Sequence, residues 1–440
     1  MIGKQKTEVT DELFRSRLTS IINTKHPLCQ IASKINWQEV EENFKEYYCE
    51  FGRPSVPVRV MVSILILKQM YRESDETVVE RWSENPYWQY FSGVEYFQTK
   101  PPFDPSDFVH FRKRVGEEGS EKLLELTIKL HGKSAEEKEV LVDTTVQEKN
   151  ITFPTDVKLQ KKVIDKCLKI AEENGIKLRQ SYRREIKQHI QNQRWRNHPK
   201  NKKKAIHSAK RIKVIAGRLV RELDRKLSEE KKQELSKLFS IFKRLLAQKK
   251  EDKDKLYSLH EPQTYCVAKG KEHKQYEFGN KVSVVMTKTS GIIVGIKSLA
   301  KNEYDGHTLP GALEQVERLT GRRPTAAIVD KGYQGSQQIG GTEIIRAKKL
   351  SRSSSQYERQ KLRKRMRRRA AIEPIISHLK HDFGMLRNYL KGAIGDSINC
   401  ILAAVAFNLK KLYNRIKNFL LDFICFMFLF KKKNFILHCC

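Results

Sequence analysis

The sequence predicts a mixed α/β domain in which a five-stranded sheet is flanked by helices. A helical N-terminal region precedes this domain, and a basic helical insertion interrupts it. Three observations predict this class. Short apolar runs rich in β-branched residues occur at 139–143 and again from residue 281 onward. Helical periodicity alternates with the later runs, which is typical of a three-layer α/β fold. Residues 158–255 have helical periodicity with little strand pattern of their own.

The predicted strands are short apolar runs bounded by turn residues. They cover 139–143, 281–286, 292–299, 326–330 and 342–346. Thr289, Ser290 and Gly291 separate the second run from the third and predict a hairpin turn. Residues 309–319 and 370–412 have helical periodicity. Without the insertion, these elements predict a single domain of one sheet and its flanking helices.

Residues 30–135 have the pattern of several short helices separated by turn residues. An apolar segment covers 58–71, and Ser74 is placed to cap the amphipathic stretch that follows it. Trp82 and Trp88 favour core positions over base-stacking positions. Such helices are compatible with a helix-turn-helix reader of DNA, and a plain helical bundle is the alternative that the pattern leaves open.

The charge of the chain predicts a polyanionic partner. Its 440 residues include 86 Lys and Arg and 52 Asp and Glu, which gives a formal net charge of +34. Residues 151–255 hold 32 basic and 13 acidic residues, a net of +19. Residues 346–369 hold 12 basic residues and one acidic residue, a net of +11. Two concentrated blocks favour contact with a nucleic-acid backbone over a merely solvated helix face.

Other patterns exclude several classes of protein. The eight cysteines form no CxxC pair and no Cys/His cluster with zinc-finger spacing, which favours a reducing cytoplasm over a disulfide scaffold. Residues 1–14 have no apolar segment of the kind found in secretory signals. The longest purely apolar run, 423–430, is shorter than the roughly 18 residues of a spanning helix. The basic blocks lack the large apolar face of a membrane-binding helix.

Two of the predicted strands end in an acid, Asp143 and Asp330. If these strands pair, both carboxylates emerge at the same edge of the sheet. Carboxylates without a neighbouring His or Cys suit a hard cation such as Mg²⁺, and two such ions can activate water and stabilise a leaving 3′-oxygen. Glu373 is the candidate third acid, and Lys380 shares its helical face. Taken alone, each acid has a plain alternative as a turn former or a surface residue.

Six motifs spread over about residues 20–415 carry a further signal. They are RWSENPYWQYFSG at 81–93, PFDPSDFVHFRKRVGEEG at 102–119, VDTTVQEKNITFPTD at 142–156, YCVAKGKEHKQYEFGNKVSV at 265–284, AIVDKGYQG at 327–335 and RRRAAIEPIISHLK at 367–380. Together these motifs resemble DDE transposases of bacterial insertion sequences, in particular the insertion-sequence-five group.

The resemblance implies an RNase H-like catalytic core with Asp143, Asp330 and Glu373 as an acidic triad that holds divalent metal, with Mg²⁺ expected and Mn²⁺ possible. The related signature of Tyr, Arg, Glu and Lys is partly present. Arg369, Glu373 and Lys380 match its spacing, and Met366 stands where Tyr is expected. The resemblance also implies a helical N-terminal domain that helps to bind the terminal inverted repeats. Together with the sequence patterns, it gives a helical DNA-binding domain at 1–135 and a catalytic core at 136–157 and 256–415, interrupted by a basic helical insertion at 158–255. An apolar tail at 416–440 is unlike the usual ending of the family.

The implied activity is metal-dependent cleavage at the transposon ends, followed by attack of the freed 3′-OH on target DNA without a covalent enzyme intermediate or ATP. The expected partner is double-stranded DNA, as terminal inverted repeats and as target, with the protein acting as a homodimer on DNA in the bacterial cytoplasm, associated with the nucleoid. The residues expected to contact DNA phosphates are Arg365, Arg367, Arg368, Arg369 and Lys380.

Some alternatives remain open. Glu148, Asp156 and Asp305 are competing acids, and His307 is either a site residue or a local hydrogen-bonding residue. An RNase H-like nuclease would cut nucleic acid without strand transfer. A catalytically inactive descendant would bind DNA as a regulator or a structural protein. Binding to an anionic membrane is the weakest alternative.

The C-terminal tail supports a first prediction. From Asn418 onward the chain is apolar and punctuated by lysines. We expect a protein truncated after Lys417 to retain DNA cleavage and to be more soluble, because the deletion removes a run of apolar residues. Cleavage assays and sedimentation of the full-length and truncated proteins check this. Loss of cleavage in the truncated protein would contradict it.

Overall fold

The computed structural model describes residues 3, 15–49, 51, 54–249, 251–270, 272, 274–346 and 355–437, with side chains described as far as Phe419. The chain forms two compact units. The larger unit comprises Met1–Glu148 and Asn280–Cys440, and the smaller comprises Lys149–Gly279. The insertion expected at 158–255 lies inside the smaller unit. The other domain boundaries stay predictions. Most of the tail side chains, and residues 347–354 of the second basic block, lie outside the described residues.

The first part of the larger unit is helical, because apolar residues recur at helical spacing and polar residues cap the helix ends. Its elements are α1 (Leu18–Ile21), α2 (Pro27–Lys34), α3 (Trp37–Lys45), α4 (Val58–Tyr71), α5 (Asp75–Glu84), α6 (Pro86–Phe91), α7 (Asp107–His131), a 3₁₀ turn (Gly132–Ala135) and β1 (Glu139–Lys149). The apolar segment 58–71 is confirmed as α4. Ser74 caps α5 as predicted, since its hydroxyl accepts a hydrogen bond from the Thr77 amide at 3.1 Å. Trp82 and Trp88 are buried, also as predicted.

The described residues of the smaller unit form four helices and a short hairpin of strands. Its elements are α8 (Asp156–Glu173), α9 (Arg183–Gln191), α10 (Pro199–Lys226), α11 (Glu229–Ala247), β2 (Tyr265–Ala268) and the first residues of β3 (Tyr276–Thr287). β2 pairs antiparallel with β3. The helices bury a hydrophobic core of their own around Val163, Leu219 and Phe242. The helical periodicity predicted for the insertion is therefore confirmed.

The larger unit continues after β3. Its remaining elements are β4 (Ile293–Ser298), α12 (Asp305–Thr320), β5 (Ala326–Ile328), β6 (Gln338–Ile339), β7 (Thr342–Ile345), α13 (Gln356–Arg369), α14 (Ile372–His381), β8 (Arg387–Asn388) and α15 (Gly392–Leu437). The hairpin predicted at 289–291 connects β3 and β4, which pair antiparallel. Gly291 has a φ of +61° in this turn, a conformation that glycine adopts without steric cost.

The strands form one mixed sheet. In the larger unit their order is β4-β3-β1-β5-β7-β6, and β8 also pairs with β1. β1 is parallel to β5, and β5 is parallel to β7. The five predicted strands correspond to β1, β3, β4, β5 and β7, but the described residues form eight strands. The prediction missed β2, β6 and β8 because they are only 4, 2 and 2 residues long, too short to show a period in the sequence.

Helix α15 joins the N-terminal helices to the sheet. It packs against α2, α4, α7 and β4. The buried Asn408 side chain donates a hydrogen bond to the Ile293 carbonyl at 2.9 Å and accepts one from the Ile293 amide at 3.0 Å. It also donates to the Thr127 hydroxyl at 3.2 Å. Because these bonds satisfy its buried amide, Asn408 can hold α15 against β4 and α7 within one shared hydrophobic core.

The same helix is the one candidate membrane span among the described residues. The segment Gly392–Phe419 has sufficient length and hydropathy to cross a bilayer, but 83% of its apolar window is buried inside the protein. Burial of this kind is typical of a core helix, whose apolar side chains pack against other protein elements.

Candidate active site

The sheet places Asp143 and Asp330 side by side. Strands β1 and β5 are parallel, with Leu141 opposite Ile328 as the last registered pair. Asp143 and Asp330 each follow two residues later, so they lie at the same level on neighbouring strands. The Thr144 amide donates a hydrogen bond to Asp143 at 2.8 Å, and the Lys331 amide donates one to Asp330 at 2.7 Å. The two strands therefore pair as the sequence argument requires.

Glu373 lies near the two aspartates, because the Arg369 side chain contacts all three acids. Arg369 is the last residue of α13, and Glu373 lies one turn later in α14. The Arg369 guanidinium lies 3.3 Å from an Asp143 oxygen, 3.7 Å from an Asp330 oxygen and 3.8 Å from a Glu373 oxygen. Three acids from three different elements thus face one cation, although they are separated by up to 230 residues in the sequence (373 − 143).

The three acids differ in solvent exposure. The side chain of Asp143 is 18% exposed, that of Asp330 is 51% exposed and that of Glu373 is 65% exposed. Burial raises the pKa of Asp143, and the charges of Asp330 and Asp305 raise it further, while the Thr144 amide and Arg369 act in the opposite direction. Asp143 is therefore the acid whose charged form the fold disfavours most directly.

Asp305 is a fourth acid beside the site. The Thr144 hydroxyl donates a hydrogen bond to Asp305 at 2.9 Å, and the Lys281 ammonium group donates to the same oxygen at 2.9 Å. Sequence reasoning treated Asp305 as a competing acid and missed Thr144 and Lys281. Lys281 lies in a predicted strand, and Thr144 directly follows Asp143. No sequence motif around either residue indicates that it bonds to Asp305.

Tyr333 is a buried neighbour of Asp143 and Asp305, and His307 is an exposed residue near the same loop. Tyr333 is buried, and its hydroxyl has no hydrogen-bond partner among the described residues. Burial raises its pKa, and the charges of Asp143 and Asp305 add to the effect. His307 is exposed and packs edge-on against Tyr304, whose hydroxyl bonds to the backbone of the loop after Asp330. His307 is therefore close to that loop, with no contact to the acids among its described interactions.

The other competing acids lie elsewhere. Asp156 is in the first turn of α8 in the smaller unit, 3.6 Å from the Lys255 ammonium group. Glu148 lies five residues beyond Asp143 on β1. Asp156 has no described contact with the three acids that face Arg369. Of the competing acids, Asp305 is the one with a described tie to the site, through Thr144.

The basic residues expected to contact DNA fall into two groups. Arg365 donates a hydrogen bond to Glu139 at 3.0 Å, and Arg368 donates to the carbonyls of Lys288 and Thr289 at 2.8 and 2.6 Å. These two guanidinium groups, like that of Arg369, have acceptors inside the larger unit. Their expected contacts with DNA stay predictions.

Arg367 differs from these three arginines. It is exposed and makes no ion pair in the part of the chain that the structure describes. Lys380 is half-buried on α14, seven residues and so about two helical turns after Glu373. Met366, at the position where the signature has Tyr, packs against a small apolar cluster that includes Leu141 and Ile328. Met366 therefore has a packing role under the two strands that carry the aspartates.

The chemistry of these donors fits a divalent metal ion. Carboxylate oxygens are the ligands that Mg²⁺ and Mn²⁺ prefer, and here two of them come from adjacent strands and one from a helix end. The described residues contain no group of three or more His, Cys, Asp and Glu already arranged around a metal position. The acids meet at Arg369 instead. Asp143, Asp330 and Glu373 are therefore candidate ligands by donor type and by their convergence on one charge.

Comparisons with known proteins cover both parts of the larger unit. Residues 16–114 match a family described as a transposase domain (DUF772), and residues 249–409 match a family described as a transposase DDE domain. The second match includes Asp330 and Glu373. Over 179 residues, the chain is 44% identical to an uncharacterized protein, ORF8 in the nfe locus of Rhizobium meliloti. This stretch is 40% of the chain and 86% of that protein. No solved structure matches the chain.

Proposed function

Because residues 16–114 match a transposase domain and residues 249–409 match a transposase DDE domain, we propose that the protein cuts the ends of an insertion sequence and joins them to target DNA. The insertion sequence would be of the insertion-sequence-five group. One observation carries the proposal: Asp143, Asp330 and Glu373 come from three elements and converge on Arg369. An RNase H-like core of parallel and antiparallel strands supports it, since the two aspartates lie at one level of adjacent parallel strands.

In this proposal, Asp143, Asp330 and Glu373 would hold two Mg²⁺ ions, and Mn²⁺ could replace them. When bound, such ions lower the pKa of an attacking water or hydroxyl and stabilise the negative charge that develops on the phosphodiester. The protein side of the reaction is positioning. Amide hydrogen bonds from Thr144 and Lys331 orient the two aspartates.

Arg369 has an electrostatic role in this proposal. Burial and the charges of Asp330 and Asp305 raise the pKa of Asp143. The guanidinium group, 3.3 Å from the Asp143 carboxylate, opposes this effect. Arg369 therefore favours the ionised form of Asp143, which is the form in which a carboxylate binds metal.

The DNA partners follow from the same proposal. The helices that match the transposase domain at 16–114 would help to bind the terminal inverted repeats. Arg367 and Lys380 would face phosphates of the DNA beside the acids, as would Arg365, Arg368 and Arg369 in part. Two ends must be cut and joined together, so the protein would act as a homodimer on DNA, in the bacterial cytoplasm.

A cleavage and strand-transfer assay tests the proposal. The substrate is DNA that carries the inverted repeats flanking the gene, supplied uncut and with a pre-cut 3′-OH end, in the presence of Mg²⁺. We expect the wild-type protein to cut the first and join the second to target DNA. We expect Asp330→Asn to bind DNA and do neither. Cutting without joining would support a nuclease instead, and binding without cutting by either protein would support an inactive descendant.

A further inference from the structure

Helix α10 is the longest helix of the smaller unit among the described residues. It covers Pro199–Lys226, 28 residues, and so extends about 42 Å at 1.5 Å per residue. One face of it, which includes Ile212, Ile215 and Leu219, is buried in the core of this unit. The opposite face is open to solvent along the length of the helix.

The open face of α10 carries a row of cations. Lys203, Lys210, Arg218 and Arg221 are exposed and lie within about a quarter turn of one another at 100° per residue. In the part of the chain that the structure describes, none of these four has an ion pair with an acid. We call these four residues the α10 row. Val214 and Gly217 lie between them, so the middle of the row has little side-chain bulk above the helix backbone.

Four lysines on the other long helices of the smaller unit do have acidic partners. Lys161 pairs with Asp165 at 2.6 Å, Lys169 with Glu173 at 3.5 Å, Lys231 with Glu234 at 2.6 Å and Lys232 with Glu229 at 2.6 Å. Helix α10 itself holds 11 basic and 2 acidic residues, a net of +9 out of the +19 of residues 151–255. A field of one sign along its open face attracts a polyanion.

The start of α10 also carries an excess of cations, although the helix dipole makes cations unfavourable there. Its first turn has no acid, and Lys200, Lys202 and Lys203 lie where the positive end of the helix dipole disfavours cations. Trp195 precedes the helix and is 75% exposed, between the exposed Arg194 and Arg196. An exposed Trp flanked by arginines suits contact with nucleic acid, because the indole can stack while the guanidinium groups meet phosphates.

We propose that the α10 row, together with Trp195, forms a binding surface for the phosphate backbone of double-stranded DNA. The inference deepens the proposed function, since the DNA would be that on which the transposase acts. The length of the row suits this occupant. Lys203 and Arg221 are 18 positions apart and so about 27 Å along the helix axis, most of one turn of a DNA duplex. A membrane fits poorly, since the exposed face lacks the broad apolar stripe that inserts into lipid.

Neutralisation of the row tests this surface in the full-length protein. The variant combines Lys203→Gln, Lys210→Gln, Arg218→Gln and Arg221→Gln. Its affinity for a labelled DNA duplex with one terminal repeat is measured by fluorescence anisotropy at several salt concentrations. We expect the slope of log affinity against log salt to become shallower by about 3 to 4, since each lost phosphate contact removes about 0.9.

The matched control removes the same charge from the same unit. It combines Lys161→Gln, Lys169→Gln, Lys231→Gln and Lys232→Gln, whose cations are paired with acids. We expect its slope to change by less than about 1. A charge-preserving variant with Lys203→Arg, Lys210→Arg, Arg218→Lys and Arg221→Lys should bind with the wild-type slope. Equal changes in the two neutralised variants would overturn the proposal, because they would show an effect of net charge alone.

Trp195 gives an independent readout. The other tryptophans are buried or half-buried, so a quencher in solution reaches Trp195 first. Duplex DNA should protect the wild-type fluorescence from iodide, and Trp195→Phe should abolish most of this protection. An RNA duplex that binds more tightly than DNA through the same row would overturn the assignment to DNA.

The strand-transfer assay separates failure of this inference from failure of the proposed function. If the wild-type protein joins DNA ends but neutralising the row leaves the slope unchanged, the surface is wrong and the function stands. If the wild-type protein joins no DNA ends but neutralising the α10 row still makes the salt slope shallower, the proposed function is wrong and the proposed DNA-binding surface is supported.

Discussion

Asp143→Asn is expected to abolish DNA cleavage and joining and, at the same time, to stabilise the metal-free protein at neutral pH. The loss of activity should be at least about 1,000-fold, because a proposed ligand of the reactive metal ions is lost from a group of residues that acts as a unit. The gain in the free energy of unfolding should be about 0.5–2 kcal/mol. Its cause is burial, which disfavours the charge of Asp143 and raises its pKa.

The pH dependence of this gain has a definite sign. A carboxyl group with a raised pKa in the folded state binds protons more tightly when folded, so the wild-type protein loses stability as the pH rises through that pKa. Asparagine resembles the protonated acid. The stability difference between Asp143→Asn and wild type should therefore be largest above the folded-state pKa of Asp143. It should shrink as the pH falls below the ordinary value of about 3.9. Denaturant unfolding in chelator-treated buffers at several pH values measures it.

Asp330→Asn is the matched control for this prediction. Its side chain is about half exposed, so removing its charge should change the free energy of unfolding by less than about 0.5 kcal/mol. Its loss of activity should equal that of Asp143→Asn, since both acids are proposed ligands. A destabilised Asp143→Asn protein, or one that still cuts DNA, would contradict the account given for this residue.

Arg112→Ala should destabilise the larger unit by about 3 kcal/mol. Arg112 on α7 is buried and forms two hydrogen bonds with Asp75, the first residue of α5, at 2.8 and 2.6 Å. Lys68 on α4 lies 3.5 Å from the same carboxylate. Removing the guanidinium takes away the two shortest bonds to a largely buried carboxylate and leaves Lys68 as its cation, and a buried charge that is only partly compensated is costly. Denaturant unfolding at neutral pH measures the change.

Arg81→Ala provides the comparison for Arg112. Arg81 pairs with Glu73, but its side chain is 59% exposed, so its removal should cost less than about 1 kcal/mol. Burial of Asp75 raises its pKa, but the bonds from Arg112 and the charge of Lys68 outweigh this and hold the pKa below its usual value. The Arg112 pair should therefore stabilise the protein at neutral pH and fail only in strong acid. Similar costs for the two substitutions would contradict this reasoning.

Local sequence patterns were enough to locate most elements. Helix α4 was predicted over the residues that it occupies, because its apolar residues and the prolines before it act over a few positions. The hairpin at Gly291 and the cap at Ser74 depend on similarly local chemistry. The strands β6 and β8 were missed because two residues carry no period. They form only where a neighbouring strand supplies the hydrogen bonds.

The candidate site could be predicted only in part, since its acids lie far apart in the chain. The ends of two apolar runs and a recognisable motif indicated Asp143, Asp330 and Glu373. That Arg369 faces all three, that Asp305 is tied to Thr144 and Lys281, and that Arg365 and Arg368 have acceptors inside the protein could not be read from spacing. These contacts depend on the register of β1 with β5 and on the approach of α13 to the sheet.

The sequence by itself indicated a basic chain with an α/β core and a helical insertion, and it carried motifs that resemble those of transposases. Composition and periodicity are properties of the sequence, so they can be read without a structure. Only the tertiary structure decided which charges meet across the fold and which stay exposed. It brought Arg369 within 4 Å of three acids from different elements and left the α10 row open to solvent. The reason is physical, because electrostatic interaction depends on distance in space and on burial, and a linear pattern records neither.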